Sequence, residues 1–127
     1  MYRTASVPSG IRLQWLIQNQ HAEILAREKK EDKFIHLYNI GTYWVAFERS
    51  AYRLNVLFPK SELTLFCIPG CTEYIVMVSV PVSAADDYFH KYKVFHDGDY
   101  RKVLYVSTLK VGDYYKWHED AVQSILQ

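Results

Sequence analysis

Two aromatic rings, Tyr43 and Trp44, stand just past Gly41, and two arginines, Arg49 and Arg53, follow one helical turn apart. A ring presented beside a tight bend offers a flat, polarisable face to whatever docks there, and nucleic acid is one such partner. Cationic side chains would then hold phosphates, and Lys91, Arg101 and Lys102 join Arg49 and Arg53 as candidates for that role. Each residue also has a bland alternative. Neighbouring strand residues point to opposite faces, so at most one of the two rings enters the main core. The cations can equally be solvated surface charge.

Other chemistry is less well supplied. Cys67 and Cys71 flank a Pro69-Gly70 turn and read as two thiols in a reducing compartment rather than a disulfide. A zinc site would need two further ligands, which the sequence does not offer at the usual spacing. His36 and His90 are isolated, and Asp86, Asp87, Asp97 and Asp99 form no metal-ligand pattern. Glu62, Glu73 and Lys102 could be assembled into a Mg²⁺-dependent nuclease site, but nothing in their spacing demands it. No metal, no cofactor and no enzymatic activity are expected.

The elements that must position these groups follow from periodicity. Residues 1–10 read as a loose arm with Pro8 and Gly10, and 11–127 as a single domain. From Ile11 to about Glu31, Leu13, Ile17 and Ile24 mark one helical face, with Leu16 and Leu25 beside them. Lys33–Ile40 is β-rich, and Asn39–Gly41 is a bend where glycine tolerates positive φ. Thr42–Ala46 returns as a strand. Phe47, Ala51, Leu54 and Phe58 then recur at helical spacing, with Arg49 and Arg53 off that line, until Pro59. Leu63–Cys67 and Tyr74–Val80 are two more strands.

Ser83-Ala84-Ala85-Asp86 has the form of a capping box, opening a helix through Tyr88, Tyr92 and Phe95 that ends at Gly98. Arg101–Ser107 is a further strand, and Asp113 caps a last helix over about 113–126. The implied fold is α/β in composition (α+β): a mixed sheet of about five to six strands with about four helices packed on it.

Two segments carry a resemblance to a known family. Gly41-Thr42-Tyr43-Trp44-Val45-Ala46-Phe47 is similar to Gly-Asp-Phe-Tyr-Glu-x-Phe in the N-terminal, mismatch-sensing domain of the DNA mismatch repair protein MutS. Met77-Val78-Ser79-Val80-Pro81-Val82-Ser83-Ala84-Ala85-Asp86-Asp87-Tyr88 is similar to its Met-Ala-Gly-Ile-Pro-Tyr-His-Ala-x-Glu-x-Tyr, with Lys91 where that helix carries a lysine. The order of features agrees from about Ile11 to Ser107. The resemblance implies a fold like MutS domain I and contacts to double-stranded or mismatched DNA, with Tyr43, Val45 and Met77 added to the cations as the contacting set. In the family a phenylalanine wedges against the unpaired base and a glutamate hydrogen-bonds it. Tyr43 keeps a ring face at the first position. Val45 has no polar side-chain group at the second, so binding is expected to be weak and mismatch discrimination lost. Ser79 and Ser83 also depart from the family's glycine and histidine. No Gly-x-x-x-x-Gly-Lys-Ser/Thr motif occurs, so no ATP is expected on this chain.

Composition sets the outer limits. With 15 basic and 14 acidic residues the chain is nearly neutral, which excludes an indiscriminate polyanion binder but not a local basic face. No apolar run approaches the roughly 18 residues of a membrane span, and the N-terminus lacks a signal-peptide core. A cytoplasmic protein without membrane contact is the expectation. Eleven tyrosines, six phenylalanines and three tryptophans exceed the needs of one core. Tyr52, Tyr100, Tyr105, Tyr114 and Tyr115 are therefore candidates for a protein interface or a homodimer through the last helix, the alternative to DNA binding.

Overall fold

The computed structural model describes residues 9–30, 33–68, 73–106 and 113–126. In chain order they form α1 (Ser9–Lys30), β1 (Phe34–Asn39), β2 (Tyr43–Phe47), α2 (Glu48–Leu57), β3 (Glu62–Phe66), β4 (Ile75–Pro81), α3 (Val82–Phe89), β5 (Lys93–Asp97), β6 (Arg101–Tyr105) and α4 (Tyr114–Leu126). The six strands make one sheet in the order β3-β4-β2-β1-β6-β5. The α+β fold with six strands and four helices is as expected, but the sheet is antiparallel at every pairing and not mixed.

Strand alternation sends side chains into two cores. On one face Ile35, Leu37, Trp44, Ala46, Val78 and Leu104 pack with Ala51 and Leu54 of α2 and Ala85 and Phe89 of α3. On the other, Tyr38, Ile40, Val45, Phe47 and Met77 pack with Leu16 and Ile24 of α1. Burying each of these larger side chains contributes about 1.5–3 kcal/mol. The α1 stripe is the one its periodicity indicates, with Leu13, Ile17 and Leu25 partly buried along it. Phe47 belongs to β2 and faces α1, so it does not extend the α2 stripe.

The β1–β2 bend is built as its residues suggest. Gly41 takes φ 115, which glycine adopts at little cost and residues with a Cβ rarely adopt. Its N–H donates to Asn39 Oδ1 at 2.6 Å, an Asx-type turn.

Three expectations are corrected. The helix after Pro81 stops at Phe89 and does not run to Gly98. Residues Lys93–Asp97 instead pair with β6 as an edge strand carrying a bulge between Val94 and His96. β6 would otherwise be an exposed edge, and the bulge together with Lys93 and Asp97 blunts the new one. Gly98 lies in the β5–β6 turn, where its N–H donates to Arg101 O at 2.9 Å. A Cβ there would stand 3.1 Å from His96 Nε2 and 3.3 Å from that oxygen, a tight fit that the neighbours would have to accommodate by a small shift. Ser83 is no cap either: α3 starts at Val82, with Pro81 at the N-cap and no side-chain capping bond. The Val82 N–H is satisfied by Thr42 O at 2.9 Å. Finally, Ser9 and Gly10 are already helical and do not belong to the arm expected over residues 1–10. Residues 1–8, the Pro69-Gly70 turn and Cys71 lie outside the described residues.

Candidate functional site

The eight residues proposed from sequence are scattered over the fold. Val45 and Met77 are buried between the sheet and α1. Arg53 is 0% exposed, and its guanidinium donates to Phe34 O at 3.0 Å. These three cannot reach a nucleic acid without opening the core. For Arg53 the cause is that α2 is covered on more than its apolar stripe. For Val45 and Met77 it is that α1 lies over their face of the sheet.

Arg49 is at the far end of the molecule. It donates to Glu28 O at 3.0 Å and to Tyr115 Oη at 2.9 Å, and lies over the Tyr114 ring. Lys102 sits over the Trp44 ring at 5.3 Å and is 3.5 Å from the Asp97 carboxylate, on the α2/α3 side. Lys91 is exposed beside the end of α3, over Tyr88 at 4.6 Å. Trp44 is a core residue whose Nε1–H donates to Asp86 Oδ1 at 2.8 Å. Only Tyr43, 38% exposed at the start of β2, and Arg101 remain at the hairpin end of the sheet on the α1 side.

That end holds a groove of about 570 Å³. It forms where the first turns of α1 cross the ends of β1 and β6, which Asn39 N–H ties to the β5–β6 turn through Tyr100 O at 2.9 Å. Trp15 and Tyr100 stand on it 57% and 65% exposed, with Ile11 beside them, and Leu16 and Tyr38 are buried. Arg12 lies over the Tyr100 ring at 5.4 Å. Arg101 lines the same groove, and its Nη2 is 3.5 Å from His36 Nδ1. Burial, then Arg101, Arg27 and Arg53, push His36 down to about 4, so the imidazole is neutral at pH 7. Arg101 therefore meets a neutral ring and not a carboxylate. Among the described residues no Asp or Glu lines the groove.

The opposite end carries a second cleft of similar volume with the reverse character. Glu28, Glu48, Glu73 and Glu119 line it with Arg49, Lys29, His118, Tyr114 and Tyr115. Glu48 is the one non-glycine residue with positive φ among those described, at 52. Its Oε1 accepts from Val76 N–H at 2.9 Å and His118 Nε2 at 3.0 Å, which holds the strained backbone in place. That bond and the Glu48 charge raise His118, against its burial. Burial pushes Glu28 up to about 8, although Ser50 N–H and Oγ donate to its two oxygens and Arg53 is near. Burial and the Glu48 carboxylate raise the Tyr114 phenol. These groups satisfy one another and fasten α4 to α2 and β4. Among the described residues no three His, Cys, Asp or Glu side chains converge as metal ligands.

No family model, curated protein or solved structure matches this chain. No helix among the described residues is long and apolar enough to cross a membrane.

Of the interface tyrosines, Tyr100 and Tyr115 are exposed, whereas Tyr114 is buried and Tyr52 and Tyr105 are half-buried in ring contacts. Arg12 and Trp15 were not among the sequence candidates. Their signal was available: a tryptophan and an arginine three apart on α1, off the Leu13–Ile17–Ile24 stripe.

Proposed function

We propose that this chain is a non-enzymatic, cytoplasmic nucleic-acid-binding module, similar in two segments to the N-terminal domain of MutS and without its mismatch discrimination. One observation carries the proposal. Exposed Trp15 and Tyr100 share a groove with Arg12 and Arg101, and among the described residues no carboxylate lines it. Ring faces and guanidinium groups together are what nucleic acids bind. The groove at the hairpin end is lined by Arg12 and Arg101, whereas the cleft at the other end mixes Glu48, Glu73 and Glu119 with Lys29, Arg49 and His118, so the groove offers a polyanion the less opposed positive charge. Tyr43 extends the groove's end of the sheet; Val45, buried, supplies no base contact.

Fluorescence anisotropy with labelled oligonucleotides at low salt tests the proposal. Binding in the micromolar range is expected, weakened by Arg12→Ala with Arg101→Ala and by added salt. Matched and mismatched duplexes should bind alike. Absence of binding to any oligonucleotide at tens of micromolar protein would remove the proposal.

A second reading, a protein-interaction or homodimerisation module, is favoured by Tyr115, Ile125 and Leu126 standing exposed on α4. Light scattering at two concentrations tests it: a mass that stays at one chain removes the homodimer.

A further inference from the structure

We infer that the groove at the hairpin end takes an unpaired base of a single-stranded nucleic acid, stacked on Trp15 beside the Arg12-covered Tyr100 ring, while Arg12 and Arg101 hold the flanking phosphates. The inference rests on the nucleic-acid proposal above and adds the class of strand.

Three observations carry it. Trp15 and Tyr100 carry large exposed ring areas on the groove, and a stacked duplex offers such rings only phosphates and base edges. Only an unstacked base presents a face that can enter. The groove volume, about 570 Å³, lies in the range of small-ligand pockets, roughly 300–1,000 Å³. It suits one base with its sugar. Its walls are mainly apolar, with Leu16 and Tyr38 buried beneath the exposed rings, as base stacking requires.

The two arginines supply the charge complementarity. Arg101 has no acidic partner among the described residues, and its Nε is buried without a hydrogen bond. The group nearest its Nη2 is the His36 ring. A guanidinium held this way beside apolar walls gains from an incoming anion. Arg12 is spread over the Tyr100 ring, where it also has no carboxylate partner among the described residues. An acidic peptide would satisfy the arginines but not the ring faces. A duplex would satisfy the arginines alone. A single strand uses both.

The test compares an oligothymidine, a blunt duplex of the same length and an abasic oligonucleotide of the same charge, by anisotropy at one low salt concentration. The oligothymidine should bind at least about tenfold tighter than either other probe, as base–aromatic stacking implies. Trp15→Ala should lower oligothymidine affinity about tenfold, leave duplex binding unchanged, and be rescued by Trp15→Phe. Trp15 is largely exposed, so both variants should keep the wild-type circular dichroism and melting curve. If all three probes bind wild type alike, or Trp15→Ala leaves the oligothymidine preference intact, the unpaired-base inference is overturned while nucleic-acid binding stands. If no probe binds, both fall together.

Discussion

Glu48 opens α2 with φ 52, a conformation that costs a residue with a Cβ roughly 1–2 kcal/mol. Its side chain offsets that cost by accepting from Val76 N–H and His118 Nε2. Glu48→Ala removes both bonds and keeps the strain. The Val76 donor left without an acceptor costs about 1–3 kcal/mol. The His118 pair, with side chains 18% and 21% exposed, adds about 1 kcal/mol. The expected loss is about 2–4 kcal/mol. Glu48→Gly loses the same bonds but relieves the strain. Against that relief stands the glycine penalty in a helix, about 1 kcal/mol relative to alanine. Glycine should therefore be no worse than alanine at this position. Val56, exposed in the same helix, serves as the control: there glycine should be about 1 kcal/mol less stable than alanine. Urea denaturation at pH 7 measures all four variants, with unchanged slopes confirming that midpoints report stability. The reasoning fails if Glu48→Gly falls below Glu48→Ala by as much as the Val56 pair differs, or if either Glu48 variant costs under about 0.5 kcal/mol.

Titrations at the same end give two further predictions. Glu48 raises His118 above its ordinary 6.5, so this contribution to stability is fully present below pH 6.5 and is lost as pH rises through the folded-state value. Glu48→Gln should bring the His118 value down, read by NMR titration of the ring protons; an unchanged value contradicts the pairing. Burial raises Glu28 from 4.5 to about 8, so the folded state keeps a proton that the unfolded chain has released. Its contribution is complete below pH 4.5 and declines as pH rises toward and through 8. His36, pushed down to about 4, acts oppositely, costing stability as pH falls from 6.5 to 4. Above pH 6.5 Glu28 is free of that opposition, so Glu28→Gln should gain stability relative to wild type between pH 6.5 and 8 by urea midpoint. A constant difference across that range would contradict a raised Glu28.

Much of the frame was legible in the chain. The Leu13–Ile17–Ile24 stripe marked α1, the Asn39–Gly41 bend marked the first hairpin, and Trp44 was rightly separated from Tyr43 by strand alternation. What periodicity could not reveal was the neighbour. Tyr92 and Phe95 continue a helical spacing from Tyr88, but β6 had an open edge, and pairing along it outweighed local preference in Lys93–Asp97. Arg53 lies off the apolar line of α2, yet its long side chain reaches inward to a backbone carbonyl. Val45 is apolar at a position that α1 covers, where a charged side chain would be buried.

The groove was the hardest feature to read, because Arg12, Trp15, Tyr38 and Tyr100 come from three separate stretches that meet only once β6 docks beside β1. Only Arg101 and Tyr100 were singled out in advance, for charge and for ring respectively. The two motif segments point to Tyr43 and its neighbours, whereas exposed rings and uncompensated arginines gather mainly beside α1.

Photo-crosslinking tests the location of nucleic-acid contact most directly. A 4-thiothymidine-substituted oligothymidine is irradiated with the full chain, and the crosslinked peptides are mapped by mass spectrometry. Adducts should fall on the segments carrying Arg12–Trp15 and Tyr100–Arg101, and should fade with Trp15→Ala. Adducts confined to the carboxylate-lined end around Tyr74, Tyr115 and His118, or none above the level of a denatured control, would contradict the account.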